Sequence, residues 1–404
     1  MKRNDDLWQR ILDFDLDQPF SEYGFSTRLA KENYWTMDFT AEAILEYKKF
    51  MYLAATAEMM VSPSEVVDVV WHQHLVFTQS YGDLCTLLGK SIQHVPSTHN
   101  RADAERFRLA KERTQTLYRE VFGEQPAAIW QCQDMFASLG LPKARFKVRS
   151  VILFAILIFA LLVVPSYFLL RTVYPTIQNP DFILYYFLIV SSAFVFLEAY
   201  NRFKLNVIVR SVPNYSFIKN LHPFELLYLR NNSLDNVMHA AFNRYVSQKK
   251  IVVHDRKTLE WVGPSTPGSP EEFTIMDTFH RMKGADYSKL SYQASTRPVF
   301  TNISNSMDAF KKYICKSVAF GKLFQANLIV IGMVLLLGLV RFVIGTLRGR
   351  PVEIIAITMI FLLVISVLYL TRLTRLVAKQ VLDYYQTAYK PSRQQVESLD
   401  WQYF

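Results

Sequence analysis

The chain has 404 residues, 51% of them hydrophobic and 20% charged, enough for two or three structural units with both polar and strongly apolar parts. Its three cysteines, Cys85, Cys132 and Cys315, are far apart and form no CxxC pair. That excludes a disulfide framework or a cysteine metal knuckle and points to a reducing compartment. The net charge of +10 is unevenly spread: residues 1–142 hold 14 Lys+Arg against 20 Asp+Glu (−6), so the remainder holds +16. Much of that excess flanks the apolar segments, where it serves membrane orientation rather than nucleic-acid binding.

The stretch Met1–Phe14 is polar and acidic, with no apolar core for a signal peptide, so the first membrane helix is expected to direct insertion. Ala41–Ala57 has helix-forming composition, with Ile44, Tyr47 and Met51 at helical spacing. Ser62-Pro63-Ser64-Glu65 reads as a capping box with proline at the first helical position, opening a helix that carries Trp71-His72-Gln73-His74. A further helix over Arg101–Phe122 lines up Phe107, Ala110, Thr114, Leu117, Tyr118 and Val121, and Gly123 is placed to end it. Residues 1–142 therefore predict one helical domain of a size that supports a single core.

Four apolar segments follow. About 20 residues of helix cross the hydrocarbon core of a bilayer, and helices are the form in which such segments satisfy their own backbone. Val151–Leu170 carries no charge, and Phe182–Leu197 is shorter and ends at Glu198. Leu323–Val340 lies between Lys322 and Arg341, and Ile354–Thr371 between Glu353 and Arg372. They predict two helix pairs, over 150–200 and 323–371. Fourteen basic residues flank one side of these spans: Lys143, Arg145, Lys147, Arg149, Arg202, Lys204, Arg210, Lys311, Lys312, Lys316, Lys322, Arg372, Arg375 and Lys379. Four flank the other: Arg171, Arg341, Arg348 and Arg350. The positive-inside rule then puts both termini and residues 201–322 in the cytoplasm of a bacterial inner membrane, with Arg348 and Arg350 as dissenters.

Between the pairs, Pro223–Leu229 and Leu234–Gln248 read as helices split at Asn231-Asn232-Ser233. Ile251–His254 and Thr258–Val262 read as a hairpin around Asp255-Arg256-Lys257. Helix, helix and hairpin outline a small α+β winged-helix-like domain, followed by a GPSTPGSP linker and a helix from Glu271. Residues 211–310 carry 11 basic and 9 acidic residues, too balanced for a DNA reader. After the fourth span, Leu373, Leu376, Val377, Val381, Tyr384 and Ala388 repeat at helical spacing, so 372–404 reads as an amphipathic cytoplasmic tail. The fold class expected is mainly α.

The run Ser62–Pro96 contains Val67-Asp68, Trp71-His72-Gln73-His74-Leu75, Tyr81, Cys85, Gly89 and His94. These residues resemble the WHxH module of glycine-rich domain-containing proteins. The likeness extends from Tyr34-Trp35 through Tyr47-Lys48-Lys49-Phe50 to Tyr118, Phe122-Gly123 and Ile129-Trp130. In bacterial membrane proteins of unknown function such a module precedes membrane helices and a segment similar to Leu221–Leu229. The glycine-rich tail of the family is absent, since the chain has 13 Gly. The resemblance implies an architecture and no reaction.

On the WHQH helix, Asp68 and His72 are four apart and share a face, a usable ligand pair. His74 stands about 200° from His72, so a regular helix does not aim both at one ion, and His74 reads as a core histidine with one hydrogen bond. Asp68, His72, Cys85 and His94 remain as metal candidates, a donor set suited to zinc. The helix itself is read as structural, with no cofactor, and the zinc site is the alternative. A Cys85–His94 nucleophile pair is weighed against Cys85 as a small buried residue between leucines. No P-loop, GxSxG, HExxH or dinucleotide fingerprint occurs. The reading is a membrane-anchored cytoplasmic scaffold without catalytic residues. The alternative is a membrane-tethered, metal-dependent enzyme using the Asp68/His72/Cys85/His94 cluster. Expected partners are the lipid bilayer and a cytoplasmic protein, with self-association open and nucleic acid not expected.

Overall fold

Polar side chains cap the starts of seven of the described helices, and residues at positive φ close several of them. The computed structural model describes residues 3–95, 101–212, 215–254, 258–282 and 286–388, which contain seventeen α-helices and one two-stranded sheet. The turn at 255–257, Pro96 and the tail beyond 388 lie outside the described residues. The chain divides into two units: Met1–Gly140 with Pro213–Phe310, and Leu141–Val212 with Lys311–Tyr389.

The first unit opens with α1 (Asp5–Asp13), capped by the Asn4 side chain, α2 (Phe25–Asn33) and α3 (Met37–Thr56). Thr36 caps α3, so that helix begins four residues before the periodic stretch at Ala41. Next come α4 (Glu65–Val76), α5 (Thr78–Leu88), α6 (Arg101–Phe122) and the short α7 (Ala127–Trp130). The start of α4 differs from the expectation. Ser64, not Ser62, is the cap, and its hydroxyl accepts from the Val67 N–H. Ser62 is taken out of the helix by Thr114, whose hydroxyl accepts from the Ser62 N–H and donates to its carbonyl, both at 2.9 Å. Gly123 closes α6 at φ +87°, a left-handed conformation that suits glycine.

Tyr47, Phe50, Met51, Leu53, Val66, Val67, Val70 and Tyr118 are buried in the core of this unit. Glu46 is buried with them and fully engaged. Its carboxylate accepts from the Tyr118 hydroxyl (2.8 Å), Trp130 Nε1 (2.7 Å) and Lys49 Nζ (2.7 Å). A buried charge is tolerated only with partners of this kind. Burial and the Glu46 charge together push the Tyr118 hydroxyl pKa upward.

The second stretch of the unit holds α10 (Tyr215–Lys219), α11 (Pro223–Asn231), α12 (Asp235–Ser247) and the hairpin β1 (Ile251–His254) and β2 (Thr258–Trp261). The strands are antiparallel, with Ile251 opposite Trp261. Then follow α13 (Pro270–Arg281), capped by Ser269, α14 (Tyr287–Ser295) and α15 (Pro298–Cys315), of which the part to Phe310 belongs here. Polar contacts sew this stretch to the first one. Glu225 accepts from the Met37 N–H through one oxygen and from the His222 N–H through the other, both at 2.9 Å. Arg297 pairs with Glu22 at 2.5 Å, and Asn302 Nδ2 donates to the Trp35 carbonyl at 3.3 Å. Burial raises the Glu225 pKa to about 7, against the pull of the two backbone N–H groups.

The second unit contains four helices long and apolar enough to cross a membrane: α8 (Val148–Leu170), α9 (Asn179–Arg210), α16 (Val318–Leu347) and α17 (Glu353–Ala388). α16 is the hub, packing against α8, α9 and α17, while α9 also packs on α17. No residue of α8 is buried, so its apolar surface faces outward almost throughout. At the start of the unit, the Ala144 N–H donates to the Lys316 carbonyl and the Val318 N–H to the Pro142 carbonyl, both at 2.8 Å. This short ladder ties the chain entering α8 to the chain entering α16. Inside the bundle, Asn201 and Asn327 exchange side-chain hydrogen bonds of 2.9 and 2.7 Å, and Asn201 also donates to the Tyr369 hydroxyl at 3.0 Å. α17 continues beyond its apolar part, and Leu373, Leu376, Val377 and Val381 are all buried.

Candidate metal centre

The 3.6-residue period of α4 sends its two histidines to different environments. His74 points into the core and has no exposed surface. Its Nδ1 lies 2.8 Å from the Tyr47 hydroxyl and its Nε2 lies 3.0 Å from Ser80 Oγ, so it has two partners rather than one. A neutral ring that accepts from Tyr47 and donates to Ser80 satisfies all three groups. Burial lowers the His74 pKa to about 4, with a hydrogen bond to Ser80 pulling the other way.

His72 lies on the opposite face, with its side chain 56% exposed, one turn along from Asp68. Its Nδ1 is 3.3 Å from Asp68 Oδ2, and His94 Nε2 is 2.9 Å from the other oxygen, Oδ1. The two imidazole rings are 4.3 Å apart between centroids. Ligand atoms of Asp68, His72 and His94 all lie within 4.8 Å of one another.

His94 reaches this point from 22 residues down the chain, and the intervening motif residues explain how. Gly89 ends α5 at φ +68°, reversing the chain at a position that disfavours a side chain. Trp71 Nε1 then donates to the Tyr81 hydroxyl (3.0 Å), which donates to the Ile92 carbonyl (2.5 Å). That relay fixes the segment after Gly89 over α4. The Trp71 ring meets the His94 ring edge-on, with centroids 4.6 Å apart. Lys90 anchors the same segment from below, donating to the Ala54, Ala55 and Ala57 carbonyls at the end of α3.

Cys85 is not part of the cluster. It is half-buried on α5 and lies near Tyr81, while the Nε2 of His94 is directed to Asp68. Of the four residues singled out by sequence, the fold brings three together.

The cluster lies along an open cleft of about 440 Å³, whose walls include Glu58, Glu65, Trp71 and Lys90. Two imidazoles and one carboxylate on one side, with the cleft on the other, match a three-ligand site that keeps a coordination position open. Bonds of about 2.0 Å put tetrahedral ligand atoms about 3.3 Å apart, against separations of up to 4.8 Å among the three groups here.

Residues 22–112, which include the whole cluster, match the family described as UCP032817-like. Glycine-rich domain-containing protein 1 of Arabidopsis thaliana is 29% identical over 91 residues. That alignment covers 21% of this chain and 11% of the plant protein, so the chain spans about a tenth of that relative's length. No solved structure matches the chain. The family match thus falls within the first unit and includes the residues that line the cleft.

Proposed function

We propose that this chain is a membrane-anchored protein whose first unit holds a divalent transition-metal ion, zinc by the chemistry of its donors, at Asp68, His72 and His94. The observation that carries the reading is the convergence of those three donor atoms beside an open cleft. A purely structural cluster has no need to leave His72 more than half exposed. Bound there, the ion would present an open position to the cleft, as catalytic rather than structural zinc sites do. The reading leaves Cys85 out.

The test is elemental analysis of the detergent-solubilised full chain after equilibration with zinc. One zinc per chain is expected, lost in His72→Ala and His94→Ala and retained in Cys85→Ala. Equal zinc in the wild type and His72→Ala would sink the proposal. Asp68 would then be a hydrogen-bonding latch for His94 and nothing more.

A second reading, a scaffold for a cytoplasmic protein, is supported by the way residues 213–310 join the N-terminal stretch in one unit. The helix–helix–hairpin order of α11, α12, β1 and β2 supports reading a small winged-helix-like element there. Both readings place the unit in the cytoplasm of a bacterial inner membrane, on the 14 to 4 distribution of flanking basic residues. The contacts of Glu225 with Met37 and of Arg297 with Glu22 support a common side for the stretches before α8 and after α9. Reporter fusions at Pro126 and Gly268 are expected to read cytoplasm, and fusions at Asn179 and Gly349 the far side. Opposite readings at Pro126 and Gly268 would contradict the arrangement.

A further inference from the structure

Arg348 and Arg350 run against the orientation rule that the other basic residues follow, and the structure gives them a setting. They line a cavity of about 500 Å³ at the end of the helical unit, together with Arg341 and Asn179. Arg341 is held firmly. Its guanidinium donates to the Tyr174 carbonyl, to the Ile177 carbonyl (2.9 Å) and to Asn179 Oδ1 (2.8 Å), and lies 4.6 Å from the centre of the Phe182 ring. It therefore clamps the loop between α8 and α9 and carries its charge into the cavity wall.

Arg348 and Arg350 differ from it in being exposed. Among the described residues, neither has an acidic side chain at ion-pair distance. One acid, Glu353, lines the same cavity, which leaves two positive charges in excess. The lining also includes Ile183, Ile344 and Ile355, the last two buried. With exposed arginines and buried isoleucines in its wall, the cavity begins where the uncharged stretch Leu323–Val340 ends, where a span of that length would meet the headgroups.

We propose that this cavity binds a phosphate-bearing anion through Arg348 and Arg350, with an anionic phospholipid as its source. Guanidinium forks fit phosphate oxygens through paired N–H donors, and basic pockets between membrane helices are suited to headgroups. The apolar wall accepts the first part of an acyl chain, which a free anion would leave unused. Topology explains the pair's position poorly; ligand binding explains it directly. The inference is independent of the metal site, which lies in the other unit.

The experiment uses the full chain in two arms. In the first, the protein is reconstituted in vesicles of phosphatidylcholine with phosphatidylglycerol, re-extracted, and its retained lipid identified by native mass spectrometry. In the second, lipid-free protein in neutral detergent is titrated with inorganic phosphate. Phosphatidylglycerol is expected to be retained over phosphatidylcholine, and the preference to fall by roughly tenfold or more in the Arg348→Ala/Arg350→Ala double variant. The charge-reversed Arg348→Glu/Arg350→Glu variant should lose it entirely. Both substitutions are on exposed side chains and leave Arg341 in place, so helix content by circular dichroism should not change. Saturable, arginine-dependent phosphate binding in the second arm, without lipid preference in the first, would keep the anion site and overturn its lipid source. Equal retention of both lipids in wild type and variants, with no phosphate binding, would overturn the proposal.

Discussion

His72 and His74 stand one residue apart on α4 and have opposite surroundings. His74 is enclosed, with both ring nitrogens engaged and its pKa lowered to about 4. His72 lies at the edge of a cleft, sharing the Asp68 carboxylate with a histidine from another segment. A His-x-His pair on a helix is thus two separate devices, one that closes the core and one that opens toward a ligand. His74 is tolerated in the interior because both of its ring nitrogens have a partner.

Removing each histidine should separate the two roles. His74→Ala is expected to destabilise the first unit most, by about 3–5 kcal/mol, because it leaves a cavity and strips the Tyr47 and Ser80 hydroxyls of their partner. Trp8, Trp35, Trp71, Trp130 and Trp261 belong to this unit, so thermal unfolding followed by intrinsic fluorescence reports on it. A loss below about 1 kcal/mol would mean that the enclosed histidine is not structural.

The second test concerns pH. His74 has a folded pKa below its ordinary 6.5, so its contribution to stability is present above pH 6.5 and lost as pH falls toward 4. Glu225 has a folded pKa of about 7, above its ordinary 4.5, so its contribution is present below pH 4.5 and lost as pH rises through 7. Between pH 4.5 and 6.5 the two slopes oppose each other, each by up to about 1.4 kcal/mol per pH unit. Asp17, Asp38 and Glu42, raised by burial, add to the Glu225 direction. Relative to the wild type, Glu225→Gln should therefore gain stability with rising pH in this window, and His74→Gln should lose it. Parallel curves for the two variants would show that neither group titrates as its burial requires.

In the second unit the enclosed polar pair is Asn201–Asn327. Asn327→Ala should cost about 1 kcal/mol, the modest worth of a hydrogen bond between membrane helices, measured by denaturation in mixed micelles. The smallest stability effect belongs to His72→Ala. It should stay within about 0.5 kcal/mol while abolishing zinc binding, since more than half of the side chain is exposed. A large loss of stability in this variant would place His72 with His74 among the structural residues.

Much of the helical scaffold can be read from the sequence because its determinants are local. The four apolar stretches, the face of Arg101–Phe122 and the helices around Asn232 depend on composition, period and caps carried by the segments themselves. The start of α4 is misread by two residues because Thr114, 52 positions away, holds Ser62. The candidate site divides in the same way. Asp68 and His72 follow from helical spacing. The arrival of His94 depends on the Trp71–Tyr81–Ile92 relay, which no spacing rule contains, and Cys85 shares the motif without sharing the place. Glu225 was not singled out at all. Its local task, completing a capping box with His222, is written in Leu221-His222-Pro223-Phe224-Glu225, whereas its hold on Met37 spans 188 positions.

That long reach has a consequence for biosynthesis. The first unit is assembled from two stretches of chain with α8 and α9 between them in synthesis order. As the polypeptide emerges from the ribosome, the N-terminal helices appear well before Glu225, Arg297 and Asn302 exist to complete their surface. During that interval Trp35, Met37 and Glu22 lack their eventual companions, and the unit closes only after α8 and α9 have been made. Completion of the first unit is in this way timed by synthesis of the two helices that interrupt it. A chain stalled before α9 would display an unfinished face.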